Sequence, residues 1–554
     1  MVTALMVTDT SSSQVTLRWN SATDTGGPGL AGYQVYRNGV LVGTTTATEF
    51  TDTTVAPSTP YCYAIIAVDI GGNDALASAE ACITTPSGVS SNSGASWYVD
   101  NTATGLDNGT SWANAWTNLN SASGVNPGDT VYISGGTSSQ TYWQTNSSGY
   151  AYIALASGTN GANVTYMVGQ DAGHNGTVII NGGNTGQFGF GGAVSFVTIN
   201  GSYNGQNNLV ISNFTNQAIN FSASMCSNVN LHYLALYNDV TMDSPIGCEL
   251  DHITKYVAPN LTSETCAFTF NTYPSFFLAL SSSTSYLAST FFHDNTVYVY
   301  RDGVVGGNGD VCVTPNGYST ISNCTFKSVV LSSYGGSKHQ EAIQIGGMEY
   351  LRVMDCTSVN MEYAGFFGGA SDPVSAHDIQ YLNNLFYYTD RSFTGGTAAV
   401  DIIFGGGGGT SMMYNVVIAN NTFADANYGL QVGPYDTLGV FSNVVVVNNL
   451  CTNNDQAGIS CIGTNGASTN NVLCLYNKAS SVTPANLAGP ATANAVTFLA
   501  YTSYATNNNF GLATNDVGAI GNGTNWPASI FTADIVGKPR TNYNGAWDIG
   551  AYQH

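Results

Sequence analysis

A short block of the type Asn-x-Thr-Phe recurs six times between residues 295 and 461, and an apolar run follows each block after a variable gap. Successive blocks are 28, 32, 29, 37 and 28 residues apart. A period in this range, made of β-rich runs without helical periodicity, predicts a solenoid of stacked rungs. The blocks begin at Asn295, Asn323, Asp355, Asn384, Asn421 and Asn449.

Stacked rungs bring equivalent residues into columns, because neighbouring parallel strands lie about 4.8 Å apart. A repeated inward asparagine can then form a ladder of hydrogen bonds at the turn, which satisfies its buried amide. Cysteines that share a column are expected to be buried free thiols rather than a disulfide. The predicted ladder residues are Asn295, Asn323, Asn384, Asn421 and Asn449, and the stacked cysteines are Cys324 and Cys356.

Composition limits the class of partner. Charged residues make up 8% of the 554 residues, whereas about 25% is usual. Hydrophobic residues make up 43%, so a large core can be buried. Eleven Lys and Arg against 33 Asp and Glu give a net charge of −22, which repels nucleic acid and anionic membranes. No apolar run is long enough for a membrane span, so we expect no membrane insertion.

The first 86 residues alternate in the manner of short antiparallel strands, at 14–19, 32–37 and 61–68. Three features resemble a fibronectin type III domain of bacterial secreted enzymes: Trp19, the run Tyr33-Gln34-Val35-Tyr36-Arg37-Asn38-Gly39, and the run Val55-x-Pro57-x-Thr59-x-Tyr61. In that family Tyr61 would form the tyrosine corner. The resemblance implies a β-sandwich that serves as a spacer or accessory domain, without an active site.

The cysteines show no metal-binding pattern. Their number is eleven, which is odd, and no Cys-x-x-Cys spacing occurs. Cys62 and Cys82 lie in neighbouring strand-like runs of the first module, so they are a candidate disulfide.

A flexible linker at 87–96 precedes the second predicted domain, 97–554. That domain opens with Trp97-Tyr98-Val99-Asp100 and Asn126-Pro127-Gly128-Asp129-Thr130-Val131, and it closes with Trp547-Asp548-Ile549-Gly550-Ala551-Tyr552. Both ends resemble secreted right-handed parallel β-helix repeat proteins of the polysaccharide-degrading type. The resemblance implies an all-β protein that is secreted or held at the cell surface. The N-terminal residues lack a signal-peptide pattern, so we expect a chain from which a leader has been removed.

The rungs differ in length at one corner. The distance from the first residue of each block to one aligned position in the following apolar run is 15, 19, 10, 17, 8 and 9 residues. The excess lies in the rungs that begin at residues 295, 323 and 384, which predicts three loops on one side of the coil with a groove between them. The aligned column is Asp310, Ala342, Gly365, Asp401, Gly429 and Gly458, and the insertions are 301–309, 332–341 and 389–399.

Carboxylates lie in and beside these insertions. Adjacent rungs can place two carboxyl groups about 5 to 10 Å apart, the separation that glycoside hydrolases use. Like-charge proximity raises the pKa of one carboxyl, which can then act as the acid. Glu341 and Glu362 are the preferred catalytic pair, with Asp390 and Asp401 as substitutes and His339 as a residue that tunes or shares the proton transfer.

Other residues near the insertions could bind a substrate, because basic groups hold carboxylates or hydroxyls and aromatic rings stack on sugars. They are Lys338, Arg391, Arg301, Tyr363 and Tyr388. The favoured function is hydrolysis of a neutral or weakly charged polysaccharide, with no cofactor required. The pattern fixes neither the sugar nor the oligomeric state.

Two alternatives fit the same groove. A polysaccharide lyase would use a Lys, His or Arg base beside a uronate carboxylate that Arg or calcium neutralises. Calcium could then bind Asp302 and Asp310, although their loop lacks a known calcium-binding spacing. A non-catalytic adhesin or surface fibre would use the polar coil to bind glycans or other copies of itself. The acidic chain disfavours a polyanionic substrate, which places hydrolysis first.

A second candidate site is the run Glu249-Leu250-Asp251-His252, followed by Lys255. Strand alternation puts Glu249 and Asp251 on one face. The pair resembles the acidic pair of some β-helix carrageenases. The surrounding sequence differs, however, and a sulfated substrate would need more basic residues. An exposed strand face is more often simply solvated than catalytic.

Overall fold

The computed structural model shows a protein built almost entirely of strands and turns. Within the described part of the chain, the helical segments are short 3-10 turns at Trp112–Asn114 and Leu119–Ser121. None of the helices described is long and apolar enough to cross a bilayer. The description covers the whole chain except residues 1, 11–13, 23–29, 56–59, 71–74, 76, 79–80, 85–93, 147–151, 222–225, 244, 246, 257–265, 272–289, 302–310, 315–318, 331–340, 344–350, 362–374, 390–400, 405–411, 426–427, 435–439, 454–456, 462–471, 476, 478, 480–481, 484–495, 504–505, 507, 518, 521, 525–533, 537, 539, 541–546 and 554.

The N-terminal module is a β-sandwich of two antiparallel sheets, as the alternation predicts. Leu17, Val35 and Tyr63 are fully buried in its core. Cys62 is disulfide-bonded, and it lies opposite Cys82 in the strand pairing. One sheet contains Thr3–Thr10, Val15–Asn20 and Glu49–Asp52, and the other contains Leu30–Arg37, Val40–Thr45, Pro60–Asp69 and Ala81–Thr84.

From Ser96 onward the chain coils as a right-handed parallel β-helix, in which each turn adds strands to a set of long parallel sheets. Sheet I has 13 strands, and hydrogen-bonded neighbours follow one another in rung order. Its strands are Ser96–Val99, Thr130–Ile133, Val164–Val168, Ser195–Asn200, Ser227–His232, Cys248–Asp251, Thr290–His293, Thr320–Ser322, Arg352–Met354, Ser375–Leu382, Met412–Ala419, Val440–Val447 and Val472–Leu475.

The other faces of the coil are sheets II, III and IV. Sheet II has 11 strands: Ser139–Trp143, Thr177–Asn181, Leu209–Ser212, Leu234–Leu236, Thr254–Lys255, Thr296–Arg301, Thr325–Val330, Thr357–Val359, Leu385–Tyr387, Thr422–Ala424 and Leu450–Thr452. Sheet III has seven: Ile153–Ala154, Phe188–Gly191, Gln217–Phe221, Asp239–Asp243, Cys266–Asn271, Val311–Thr314 and Glu341–Ile343. Sheet IV continues this face in later rungs with Asp401–Phe404, Tyr428–Pro434, Ala457–Cys461 and Val482–Thr483.

Two antiparallel hairpins accompany the coil, Ser202–Tyr203 with Gln206–Asn207 and Phe498–Ala500 with Asn509–Leu512. The closing run predicted at the C-terminus is buried against the coil. Ile549 packs with Leu385 and Leu450 of sheet II. One hydrophobic cluster fills the coil interior from Val99 to Ala479, because alternate strand residues point inward.

The predicted asparagine ladder is present at Asn295, whose side-chain oxygen accepts the backbone N–H of Ile253 at 2.8 Å and whose side-chain nitrogen donates to the Leu250 carbonyl at 2.9 Å. The same pattern recurs in the later rungs. Asn384, Asn421, Asn449 and Asn477 are buried. The side-chain oxygen of each accepts the backbone N–H of the column residue one rung earlier, at 2.8–3.1 Å. Each side-chain nitrogen donates to a sheet I carbonyl, so every polar group of the ladder amide has a partner.

The predicted ladder position is wrong by one residue in the rung that begins at 323. Strand pairing aligns Thr296 with Thr325 and Thr357, which places Cys324 and Cys356 in the ladder column. Both cysteines are buried free thiols, as predicted. Asn323 is exposed one position earlier, where its left-handed backbone (φ 50°) is a conformation that asparagine tolerates.

The column predicted at the variable corner also needs correction. Gly429 and Gly458 do share it, but Asp401 lies opposite Gln431. The strand pairing places Glu341 opposite Val311, so Ala342 is not aligned with residue 310. The alignment fails because rungs of unequal length cannot be matched by counting. The insertions predicted at 301–309 and 332–341 fall at connections from sheet II to sheet III, and the one predicted at 389–399 falls at a connection from sheet II to sheet IV. The groove itself stays a prediction.

Candidate active site

The strand Cys248–Asp251 of sheet I places two carboxylates on its outer face. Cys248 and Leu250 are fully buried, whereas the side chains of Glu249 and Asp251 are 43% and 14% exposed. This alternation follows from the pleat, which turns successive side chains to opposite faces of the sheet. The prediction that Glu249 and Asp251 share one face is confirmed.

The rungs on either side add histidines to this face. His232 ends the preceding strand, and His293 ends the following strand. Parallel pairing aligns both with Asp251, so the three residues form one column across three rungs. Since adjacent strands lie about 4.8 Å apart, their side chains are within hydrogen-bonding reach. We call His232, Glu249, Asp251, His252, His293 and Asp294 the His–carboxylate cluster.

His293 lies between two carboxylates. Its Nε2 is 3.0 Å from Glu249 Oε1, and its Nδ1 is 2.7 Å from Asp294 Oδ2. The hydrogen bond with Glu249 is the largest cause that raises the His293 pKa, to about 9, and it outweighs the effect of burial. The ring is therefore a protonated imidazolium at neutral pH, and both nitrogens donate. The same hydrogen bond lowers the pKa of Glu249, so Glu249 stays ionised.

Asp251 is held by the other two histidines. His232 Nδ1 is hydrogen-bonded to Asp251 Oδ1, and His252 Nδ1 lies 3.2 Å from Oδ2. His252 has a left-handed backbone (φ 52°), and its ring stacks on Tyr233 with centroids 4.3 Å apart. Burial raises the pKa of Asp251, but the hydrogen bonds and charges of His232 and His252 together outweigh burial and lower it. Asp251 is therefore an oriented, ionised carboxylate.

The cluster also contains a set of atoms that could hold a cation. One carboxylate oxygen each from Glu249 and Asp251 and one ring nitrogen of His293 lie within 4.8 Å of one another. Carboxylate and imidazole are donors that Zn²⁺ and similar ions accept. His293 uses both nitrogens in hydrogen bonds, so a cation would have to replace the Nε2 proton. Asp302 and Asp310, the residues considered for calcium, lie outside the described residues.

Two residues selected from the sequence are buried inside the coil. The sequence predicts Lys255 beside Glu249 and Asp251, but its side chain is fully buried, with Nζ 3.5 Å from Asp239 Oδ1. That prediction is wrong, because Lys255 takes the inward position of the strand Thr254–Lys255. Tyr388 is 1% exposed and packs edge-on against Phe386, with centroids 5.3 Å apart. Its ring belongs to the core and cannot stack on a sugar at the surface.

Three other residues that the sequence predicts for the site lie at the ends of strands. Arg301 ends Thr296–Arg301, Glu341 begins Glu341–Ile343, and Asp401 begins Asp401–Phe404. They flank the predicted insertions, and their roles stay predictions. The remaining selected residues lie outside the described part of the chain and also stay predictions: Lys338, His339, Glu362, Tyr363, Asp390 and Arg391.

No motif in the sequence marks His232, His293 or Asp294 as functional residues. His232 lies 19 residues before Asp251, and His293 lies 44 residues after Glu249. The two histidines do share one signal, since each ends an alternating strand-like run. Their spacing along the chain does not predict that the histidines contact Asp251 and Glu249, however, because the rungs differ in length.

No protein-family model matches the chain. Part of the chain is similar in sequence to known enzymes, and a larger part is similar in structure to a solved protein. Exoglucanase B of Cellulomonas fimi is 49% identical over 82 residues, which are 15% of this chain and 7% of that protein. Chitinase Chi52 of Paenibacillus xylanexedens is 41% identical over 100 residues, 18% of each chain. The chain therefore spans less than a fifth of these two relatives.

A solved structure, the family 28 exopolygalacturonase of Yersinia enterocolitica, is similar over 84% of this chain and 100% of that chain. The sequence identity is 12% and the TM-score is 0.34. The strand topology itself defines the class of this protein. It is a right-handed parallel β-helix preceded by a fibronectin type III-like module, with a His–carboxylate cluster on the outer face of sheet I.

Proposed function

We propose that this protein is a carbohydrate-active enzyme that hydrolyses glycosidic bonds of a polysaccharide, with the His–carboxylate cluster as its catalytic centre. One observation carries the proposal: the ionised carboxylates of Glu249 and Asp251 approach within 4.8 Å of each other beside a protonated His293. Relatives that share part of the sequence are named an exoglucanase and a chitinase, which supports a glycan as the substrate class.

The short distance between the carboxylates favours a double displacement, since retaining hydrolases place their two carboxyl groups about 5 Å apart. Asp251 attacks the anomeric carbon and forms a glycosyl ester. The Nε2 proton of His293 passes through Glu249 to the glycosidic oxygen, so the leaving sugar departs as an alcohol. Water then cleaves the ester, and one of its protons returns through Glu249 to His293. The released sugar keeps its anomeric configuration.

The protonation of His293 favours hydrolysis over β-elimination at this cluster. A lyase needs an unprotonated base to remove the proton beside the uronate carboxylate, whereas a His293 pKa of about 9 keeps this ring protonated at neutral pH. Glu249, Asp251 and Asp294 would also repel a uronate. The proposed substrate is therefore a neutral polysaccharide, which an extracellular enzyme would meet outside the cell.

The test is a panel of neutral and uronate-containing polysaccharides, assayed for new reducing ends and for the absorbance of unsaturated uronates. We expect reducing ends alone. Asp251→Asn and Glu249→Gln should each lower kcat by about 100-fold or more, because each removes a group that acts on the reacting atoms. Asp171→Asn is the matched control, since Asp171 pairs with His174 at 2.5 Å elsewhere on the coil. The control should keep full activity.

Several outcomes would overturn the proposal. Full activity in both Glu249→Gln and Asp251→Asn removes the cluster from catalysis. If Glu341→Gln or Glu362→Gln abolishes activity instead, the catalytic site lies beside the predicted insertions. Unsaturated products identify a lyase, and glycan binding without any product identifies an adhesin. Activity that EDTA abolishes and added Ca²⁺ or Zn²⁺ restores would replace the proton-transfer mechanism with a metal-dependent one.

A further inference from the structure

Asp294 occupies a turn position that recurs after the strands of sheet I. Its backbone is left-handed, with φ 55°, which asparagine and aspartate tolerate better than most residues. The backbone therefore accounts for the residue type but not for where the side chain points. The same position in other rungs, with φ between 50° and 57°, is held by Tyr233, His252, Asn323, Asp355, Asn383, Asn420 and Asn448.

The Asp294 carboxylate is fixed at both oxygens. Oδ2 accepts the Nδ1–H of His293 at 2.7 Å, and Oδ1 accepts a hydrogen bond from the Asn323 side-chain nitrogen in the next rung. A carboxylate that holds Nδ1–H determines which ring nitrogen faces the opposite side. In this structure the opposite nitrogen, Nε2, faces Glu249. Asn323, Asp294, His293 and Glu249 thus form a hydrogen-bonded chain across three rungs.

We propose that Asp294 is a positioning residue, which orients the His293 ring toward Glu249. This inference rests on the proposed function of the cluster. Within the described part of the chain, the charged groups that act on His293 are Glu249 and Asp251 on the preceding strand and Asp294 in its own turn. Arg18 of the N-terminal module lies over the ring of Phe291, two residues before His293. The following strand, Thr320–Ser322, carries no charged residue. Among the described residues, Asp294 is therefore the carboxylate that binds the His293 ring nitrogen opposite to Glu249.

Asp294→Asn removes the negative charge of the side chain but keeps a residue that tolerates the left-handed turn, since asparagine occupies the same turn position at residue 323. We expect kcat to fall roughly tenfold or more with little change in KM, because a misoriented ring delivers its proton poorly. The alkaline limb of the pH–rate profile should move to lower pH. A histidine-selective NMR titration, assigned with His293→Gln, should show a lower His293 pKa. Asp355→Asn, two rungs further along the same turn column, should change none of these.

A folded Asp294→Asn variant with wild-type kcat, pH–rate profile and His293 titration would overturn the inference. If no glycan is hydrolysed by the wild-type protein, the proposed function fails, but the NMR titration still decides the role of Asp294. Should Asp294→Asn not fold, Asn323→Gly keeps a left-handed turn and releases Asp294 Oδ1. In Asn323→Gly, a fall in kcat together with an upfield shift of the His293 Nδ1 proton in the NMR spectrum supports the role, and a wild-type kcat with an unchanged Nδ1 proton shift rejects it.

Discussion

Replacement of Asn421 by alanine measures how strongly the ladder stabilises the coil. Asn421 is fully buried. Its Oδ1 accepts the backbone N–H of Asn384 at 2.8 Å, and its Nδ2 donates to the Tyr381 carbonyl at 3.0 Å and to Asn449 Oδ1 at 2.9 Å. Alanine removes these bonds but keeps the backbone bond from Asn421 N–H to Asn449 Oδ1.

The expected cost follows from the backbone groups that lose this partner. They are the N–H of Asn384 and the carbonyl of Tyr381, both inside the coil. A buried group left without its partner costs about 1–3 kcal/mol, so Asn421→Ala should lower the free energy of unfolding by about 4 kcal/mol. Asn421→Cys copies the natural occupant of the column at Cys324, whose thiol donates to a backbone carbonyl. It restores a donor only, so about half of the loss should remain.

Urea unfolding of the coil, followed by circular dichroism, gives the free energies, and hydrogen exchange at the Asn384 amide gives the local effect. Exchange at Asn384 should accelerate in Asn421→Ala, because its amide loses its acceptor. Ser442→Ala on the exposed face of sheet I is the control and should stay within about 0.5 kcal/mol of wild type. An Asn421→Ala protein as stable as Ser442→Ala, with unchanged exchange at Asn384, would refute the reasoning.

Two further predictions concern buried and paired charges. Lys255→Met should destabilise the coil by about 3 kcal/mol, because it removes the ammonium group that lies 3.5 Å from the Asp239 carboxylate. The double variant Lys255→Met, Asp239→Asn should recover most of this loss in urea unfolding. If the double variant recovers none of it, the pairing is contradicted. His293, at a pKa raised from 6.5 to about 9, adds stability that is complete below pH 6.5 and is lost as the pH rises to about 9. The loss should be about 3 kcal/mol. Unfolding of His293→Gln in EDTA should not vary with pH in that window, and a persistent slope would assign the dependence to another group.

Much of the fold follows from the sequence, because it depends on patterns that are local along the chain. The recurring block predicts the coil, and alternation predicts both the sandwich and the shared face of Glu249 and Asp251. Even the buried, unpaired state of Cys324 and Cys356 follows from their place in consecutive repeats. In each case the information lies within a single rung or in the similarity between rungs, so no long-range contact has to be known.

The alignment of one rung with the next is a different kind of information. The pleat has a period of two, so an error of one residue exchanges the inner and outer faces, as it did at Asn323. Lys255 shows the same sensitivity, since the turn after Asp251 places it inward. Counting along a chain with variable loops cannot resolve such shifts.

Repeats and alternation along the chain are enough to predict the coil, the module before it and the shared face of Glu249 and Asp251. The winding of the coil brings His232 and His293 to either side of Asp251 and places Asp294 against His293. This site is assembled between parallel strands of separate rungs, which lie side by side through backbone hydrogen bonds. Those strands are brought together by the winding of the whole coil, and no spacing along the chain records which side chains then meet.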